Sequence, residues 1–238
     1  MTPRDERTKK HRRALLVFVR GLALELSVKH WPKRLAPLLR LPEGLSRVSA
    51  DVHLFVDDGP FAVPEVQGTV HRQVGGTFGA RLGAAIEELS DAGYREVVVV
   101  GRDCPELELS DVRAAFESLE DRPVVLGPDH RGGVYLIGFR ISQRRLLEGV
   151  PWCRDRDFEA LTDRVAEGDL RILPSKQDLD SAFDLRLLCR SSGPRGSMAR
   201  AILASLETSD PKIPDRIRSR SAALDPVAWQ MPPPAQAL

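Results

Sequence analysis

Residues 95–103 read REVVVVGRD, and the four consecutive valines leave this segment without a polar face. A strand apolar on both sides is covered on both sides, which is the condition of a strand in a parallel sheet flanked by helices. The neighbouring sequence agrees. Upstream, RLGAAIEELSDAGY places Leu82, Ala85, Ile86 and Leu89 on one helical face, and Gly93 stands just past the end as a stop. Downstream, Ser110 precedes DVRAAFESLE as the N-cap of a second amphipathic helix, and PVVLGPD follows as the next strand.

Further out, ALLVFV (residues 14–19) and VHLFV (residues 52–56) are short apolar runs bounded by charges or turn residues and read as buried strands. Between them, WPKRLAPLLRLP is basic and broken by proline, which allows only short helical pieces. GGVYLIGF (132–139) is a strand, DFEALTDRVAEG a helix ended by Gly168, and LRILPS the last strand. Strands and helices alternating through short loops predict an α/β fold, a three-layer α/β/α arrangement with a mostly parallel central sheet.

The 238 residues supply material for one main core. The expected organisation is a basic, flexible amino end over 1–13, one domain over 14–192, and over 193–238 a short lone helix followed by a disordered Pro- and Arg-rich tail. SSGPRGS reads as the flexible joint before that helix. Thirty-five Lys+Arg against thirty-four Asp+Glu give a net charge of +1, so binding driven by neutralising nucleic-acid phosphates is not expected. The basic run Lys9 to Arg13 precedes an apolar stretch, but Arg20 and Glu25 interrupt it and no small-residue cleavage pattern follows. No other run nears the ~18 apolar residues of a spanning helix. Cys104, Cys153 and Cys189 are far apart, which suggests neither a disulfide framework nor a zinc site. A cytoplasmic protein is the expectation.

In an open α/β sheet, ligands bind beyond the carboxyl ends of the strands. That rule selects VVVVGRDCPEL, in which Asp103 emerges from the buried strand after Gly101, with Pro105 fixing the turn. A carboxylate there would hold Mg²⁺ or Mn²⁺ against a diphosphate, or would be a solvated turn residue. His53, within a strand, reads as a core or edge residue, and Cys104 as a small buried packing residue without a local histidine to activate it. Asp180 is the expected N-cap of the helix that begins in DSAFDLRLL.

VVVVGRDCPEL, VVLGPDHRGGVYLIGF, GVPW and ILPSKQDLDSAFDL follow one another in the order and spacing of a bacterial glycosyltransferase-like family, the selenodomain-associated transferases of GT-A (nucleotide-diphospho-sugar transferase) fold. QVGGTFGARLGAAIEEL and KRLAP resemble that family's Gly-rich turn and basic first loop, so the resemblance spans about three-quarters of the chain. It implies metal-assisted transfer from a nucleotide-activated sugar. Lys29, Lys33, Arg34 and Arg81 would then lie near the phosphates, Asp103 would be the metal-side carboxylate, and Asp178, Asp180 and Asp184 would match the later acidic segment. Asp103 and Asp180 are the catalytic candidates, and Trp152 matches a Pro-Trp where an acceptor would stack.

The chain also departs from the pattern. GLALELSVKHWPKRL has neither the family's Pro/Gly turn nor its Thr, and Thr77 and Phe78 replace an Asp-Leu pair between Gly76 and Gly79. Arg131 stands where the family has an acid before Gly132 and Gly133. Arg131 would either repel a metal or pair with a phosphate, and Asp129 and His130 just upstream would restore the lost ligand. Asp103 with Asp129 is the expected divalent-metal pair. Two alternatives to sugar transfer stand beside it: nucleotidyl transfer on the same fold, and a catalytically degenerate homologue that binds a nucleotide or a partner protein.

Overall fold

Alternate residues of the first strand face different cores. In the computed structural model, which describes residues 12–57 and 66–209, β1 (Arg13–Val19) sends Leu15, Val17 and Val19 to one side of the sheet and Ala14, Leu16 and Phe18 to the other. The period of two that separates neighbouring side chains thus builds two layers of core from one apolar run. β4 (Glu96–Val100) does the same with Val98 and Val100 against Val97 and Val99, as expected for a strand covered on both faces.

The remaining elements in chain order are α1 (Leu22–Val28), a 3-10 helix (Lys33–Leu39), a second (Leu45–Arg47), β2 (Asp51–Val56), β3 (Thr69–Arg72), α2 (Phe78–Asp91), α3 (Leu109–Asp121), β5 (Val124–Pro128), β6 (Val134–Arg140), a third 3-10 helix (Ile141–Leu147), α4 (Asp157–Thr162), a fourth 3-10 helix (Glu167–Asp169), β7 (Leu170–Ile172), α5 (Ala182–Arg190) and α6 (Pro194–Ser209). β4 falls between α2 and α3. The seven strands lie in the order β3-β2-β1-β4-β6-β5-β7, and β6 runs antiparallel to both its neighbours. Only residues 129–133 connect β5 to β6. A parallel return needs a crossover of a dozen residues or more, so this short turn dictates the reversal.

Leu82, Ala85, Ile86 and Leu89 of α2 are buried against one face of the sheet, and Val112, Ala115, Phe116 and Leu119 of α3 against the other. The fold is α/β with a mostly parallel sheet between helical layers. No helix among the described residues is long and apolar enough to cross a membrane.

Several local expectations are corrected. α3 is capped by Glu108, whose backbone N–H donates to Asp111 at 2.7 Å, and Ser110 lies inside the helix. Ser181 caps α5, with Asp184 in the return position of a capping box, so Asp180 is not the cap. α4 stops at Thr162, well before Gly168, because the chain turns there and Arg164 donates to the carbonyls of Leu146 at 2.8 Å and Glu148 at 2.6 Å. β3 and α1 were not expected as elements.

The lone helix after a flexible joint is α6, which starts within SSGPRGS at Pro194 and is packed. Ala199 is fully buried in a third cluster with Leu26, Leu35, Leu38, Leu179 and Leu188, and Arg195 donates to the Pro37 carbonyl at 2.9 Å. Of the expected amino-terminal segment, Arg12 and Arg13 are ordered, and Arg13 pairs with Glu96 at 2.8 Å. Residues 1–11, most of the basic run from Lys9 to Arg13, and residues 210–238, most of the Pro/Arg-rich tail, lie outside the described residues.

Candidate functional site

The carboxyl ends of β1, β2, β4 and β5 deliver Arg20, Asp57, Asp103 and Asp129 to one edge of the sheet. A further stretch, residues 173–181, runs along that edge. The Leu173 N–H donates to Leu126 O at 2.8 Å, that of Lys176 to Pro128 O at 3.1 Å and that of Leu179 to Asp103 O at 2.7 Å. These backbone bonds set Asp178 and Asp180 beside Asp103.

Lys29, one residue past α1, reaches into this group. Its side chain is only 7% exposed, and its ammonium contacts Asp180, Glu25 at 3.2 Å, Asp103 at 4.0 Å and the Leu179 carbonyl at 3.0 Å. Burial disfavours the charged ammonium, but the attraction of Asp103, Asp180 and Glu25 outweighs it and holds the proton above its usual range.

Asp103 is under the opposite pressure. Its side chain is 42% exposed overall, yet Oδ1 is buried and accepts no hydrogen bond among the described residues. Desolvation, offset in part by Lys29 and reinforced by Glu25 and Asp180, pushes its carboxyl up to about 6. Asp178 is the more crowded of the two. Its Oδ1 also lacks a hydrogen-bond partner among the described residues, it shares a side-chain hydrogen bond with Asp129, and burial with Asp103, Asp129 and Asp180 raises its carboxyl well above the usual range.

Asp129 is split in function. Oδ1 accepts from the backbone N–H of Arg131 at 2.6 Å and of Gly133 at 2.9 Å, which closes the β5–β6 turn. That closure requires glycines. A Cβ on Gly133 would meet Asp129 Oδ2 at 2.3 Å, and Gly132, at φ +101°, would meet Asp155 O at 2.4 Å.

Arg131 is tied down by acids. Its guanidinium donates to Asp155 at 2.8 Å and to the buried Asp184 at 3.4 Å, so it ties the β5–β6 turn to the loop before α4 and to the first turn of α5. Of the three expected phosphate-side residues near α1, the structure brings Lys29 to the carboxylates and sends the others elsewhere. Lys33 is exposed on its 3-10 helix, and Arg34 donates to Ser205 O of α6 at 3.2 Å. Arg34 thereby helps to hold α6. Arg81, in the first turn of α2, is half-buried, and its Nε has no hydrogen-bond partner among the described residues.

Below the acids lies a cleft of about 140 Å³ that Asp103, Asp178, Trp152, Cys153 and Asp157 line together with apolar side chains. Trp152 packs on α2 because Gly79 has no side chain, since a Cβ there would come within 2.7 Å of the indole Cδ1. Cys104 lines the floor and is buried, and desolvation raises its thiol far above the usual value, in keeping with a packing role. His53 belongs to a separate buried network at the other end of β2. Asp157 and Cys153 were not identified as site residues from the sequence. Asp157 lies within DFEAL, where it reads only as a helix start, and nothing local shows that the loop before it folds over β6.

Residues 45–154 match the DUF2064 family, described as an uncharacterized protein conserved in bacteria. A provisionally assigned nucleotide-diphospho-sugar transferase from Desulfovibrio desulfuricans G20 is 25% identical and superposes with a TM-score of 0.68 over 88% of this chain and 98% of its own. The chain has a GT-A-like fold. A Mycobacterium sp. strain JC1 homologue of Mycobacterium tuberculosis Rv0371c shares the fold, at 14% identity and a TM-score of 0.53 over 80% of this chain and 98% of that one. No curated protein matches the chain. In the GT-A-like frame, the cluster of Asp103, Asp178 and Lys29 occupies the strand-end edge at which α/β sheets bind ligands.

Proposed function

We propose that this protein transfers a sugar from a nucleotide-diphospho donor bound over Asp103 and Asp178, with a divalent cation. The observation that carries this reading is the pair of buried carboxylate oxygens, Asp103 Oδ1 and Asp178 Oδ1, that lack hydrogen-bond partners among the described residues. Hard oxygen donors under mutual repulsion suit Mg²⁺ or Mn²⁺. Among the described residues no group of three His, Cys, Asp or Glu side chains is arranged to hold a metal ion. This fits a cation held by one or two carboxylates and completed by donor phosphates, the usual habit of Mg²⁺. Asp103 and Asp178 would hold it, with Asp129 buttressing Asp178 through their shared hydrogen bond. When bound, the cation neutralises charge on the departing diphosphate.

The chain's own groups have distinct tasks. Lys29, fixed by Glu25 and Asp180, keeps a positive charge beside Asp103 where diphosphate charge develops. Asp180, half-exposed at the rim, holds Lys29 in place in this reading. Arg131, paired with Asp155 and Asp184, positions the β5–β6 turn that presents Asp129. Three free cysteines suit a reducing compartment, so the reading places the protein in the cytoplasm.

Thermal-shift titrations with nucleotide sugars and with nucleoside di- and triphosphates, each with and without Mn²⁺ or Mg²⁺, test the proposal. The expected outcome is a metal-dependent rise with one nucleotide sugar that Asp103→Ala abolishes. Pyrophosphate release from a nucleoside triphosphate would replace sugar transfer with nucleotidyl transfer. A flat panel would leave the degenerate reading, favoured by α1 and Lys29 filling the first loop with internal ion pairs.

A further inference from the structure

The cleft beneath the carboxylates differs in chemistry from its rim. Phe18, Phe78, Leu82, Val99, Ile137 and Trp152 form most of its walls. The aromatic rings brace one another, Phe18 edge-on to Phe78 at 5.3 Å between centroids and Phe78 tilted on Trp152 at 5.5 Å. At about 140 Å³ the space is close to the ~150 Å³ of an apolar cavity known to take benzene, which is room for one six-membered ring.

The charged side chains of the lining are three carboxylates. Asp103 and Asp178 belong to the proposed donor side. Asp157 comes from a different segment, together with Trp152 and Cys153. Its Oδ2 accepts from the Cys153 N–H at 3.3 Å, while Oδ1 is buried with no hydrogen-bond partner among the described residues. An unmade buried hydrogen bond costs about 1–3 kcal/mol. A polyhydroxylated ring in this cleft would leave most of its hydroxyls unpaired, whereas an apolar ring with a single hydroxyl would leave none.

Resting on the transferase reading, we propose that this cleft is the acceptor subsite, that it takes an apolar, ring-sized alcohol, and that the alcohol's hydroxyl donates to Asp157 Oδ1. Asp157 is then an acceptor-binding residue, and Gly79 sets specificity indirectly by letting the Trp152 indole lie against α2 as a wall.

Benzyl alcohol and toluene are the probes, titrated into the full-length protein with neither nucleotide nor divalent metal and followed by the indole N–H resonance of Trp152, which Trp152→Phe assigns. The expected result is saturable millimolar binding of both, with benzyl alcohol at least fivefold tighter. Asp157→Ala removes that preference and leaves toluene affinity unchanged, so toluene binding also reports that the variant is folded. Gly79→Ala displaces the indole and weakens both probes. If Asp157→Ala does not fold, the ratio of the two probes on the unmodified protein decides.

Absence of binding by either probe overturns the proposal. So does glucose or benzylammonium binding more tightly than benzyl alcohol, which would mark a polar-ring or organic-cation site, and so does displacement of benzyl alcohol by CMP or UMP, which would mark a base pocket. Because these titrations contain no nucleotide or metal, a flat nucleotide panel with intact alcohol binding fails the donor reading alone, and the reverse result fails the subsite alone.

Discussion

Lys29 is the residue on which the acidic edge depends. One buried ammonium offsets Glu25, Asp103 and Asp180, and removing one partner of a buried ion pair typically costs about 3–5 kcal/mol because the other charges stay behind. Two of those acids are half-exposed, so Lys29→Met is expected to cost less, about 2 kcal/mol in urea unfolding. Adding Asp103→Asn should recover part of that loss, which a double-mutant cycle would read as coupling. Asp103 alone has the opposite sign. Its carboxyl is raised from 3.8 to about 6 in the folded protein, so the native state holds this proton more tightly than the unfolded chain does. Stability is therefore lost as pH rises through that window. Asp103→Asn should raise Tm at pH 7.5, by roughly 2–4 °C if about 1 kcal/mol survives solvent screening, with little effect below pH 4. The same variant should lose metal-dependent nucleotide binding.

At the scale of elements, a second polar network ties β2, β3 and α2 together at the edge opposite the cleft. Tyr94 Oη donates to Asp51 at 2.7 Å, His53 lies 2.8 Å from that hydroxyl through Nε2 and 2.9 Å from His71 through Nδ1, and His71 reaches Glu88 at 2.6 Å. The buried end of the network is satisfied when His53 is neutral and donates through Nε2 to Tyr94. Burial and the neighbouring His71 lower His53 below its ordinary 6.5. The unfolded chain then binds this proton more readily than the native one, so stability falls as pH drops below about 6.5. Equilibrium unfolding between pH 5 and 7 should show this slope, and His53→Gln should flatten it. Asp103 contributes a slope of opposite sign at lower pH, and the two single variants separate them.

For the whole molecule, the third cluster shows that α6 belongs to the folded unit. α6 supplies Ala199 to a core shared with α1, the 3-10 helix Lys33–Leu39 and α5, and Arg34 and Arg195 hold it to that layer by hydrogen bonds to carbonyls. Lys29 follows α1 and Asp180 precedes α5, so the layer that α6 covers also carries part of the candidate site. Truncation after residue 192 should lower Tm by several degrees, expose the apolar faces of Leu35 and Leu188, and weaken nucleotide binding. Differential scanning calorimetry of the shortened and full-length chains checks this. Unchanged melting would mean that α6 adds nothing to the cooperative unit.

The valine run of β4, the apolar face of α2 with Gly93 behind it, and the strand-end position of Asp103 were all readable in the sequence, because each is set by neighbours within a few residues. Local periodicity and turn chemistry act over that range, and they suffice for an α/β fold with a ligand edge. β3, four largely exposed residues at the sheet's margin, lacks such a signal. The partners of Arg131 are Asp155 and Asp184, 24 and 53 residues away, and no spacing rule predicts them. Nor does one predict that Arg34 faces α6 while Lys29 faces Asp103. Sequence by itself determined the layers of this protein and the edge where its acids gather. The tertiary structure decided which charges neutralise one another, which carboxylate oxygens lack partners among the described residues, and that a ring-sized cleft with largely apolar walls lies beneath them, since these depend on segments brought together only when the chain has closed on itself.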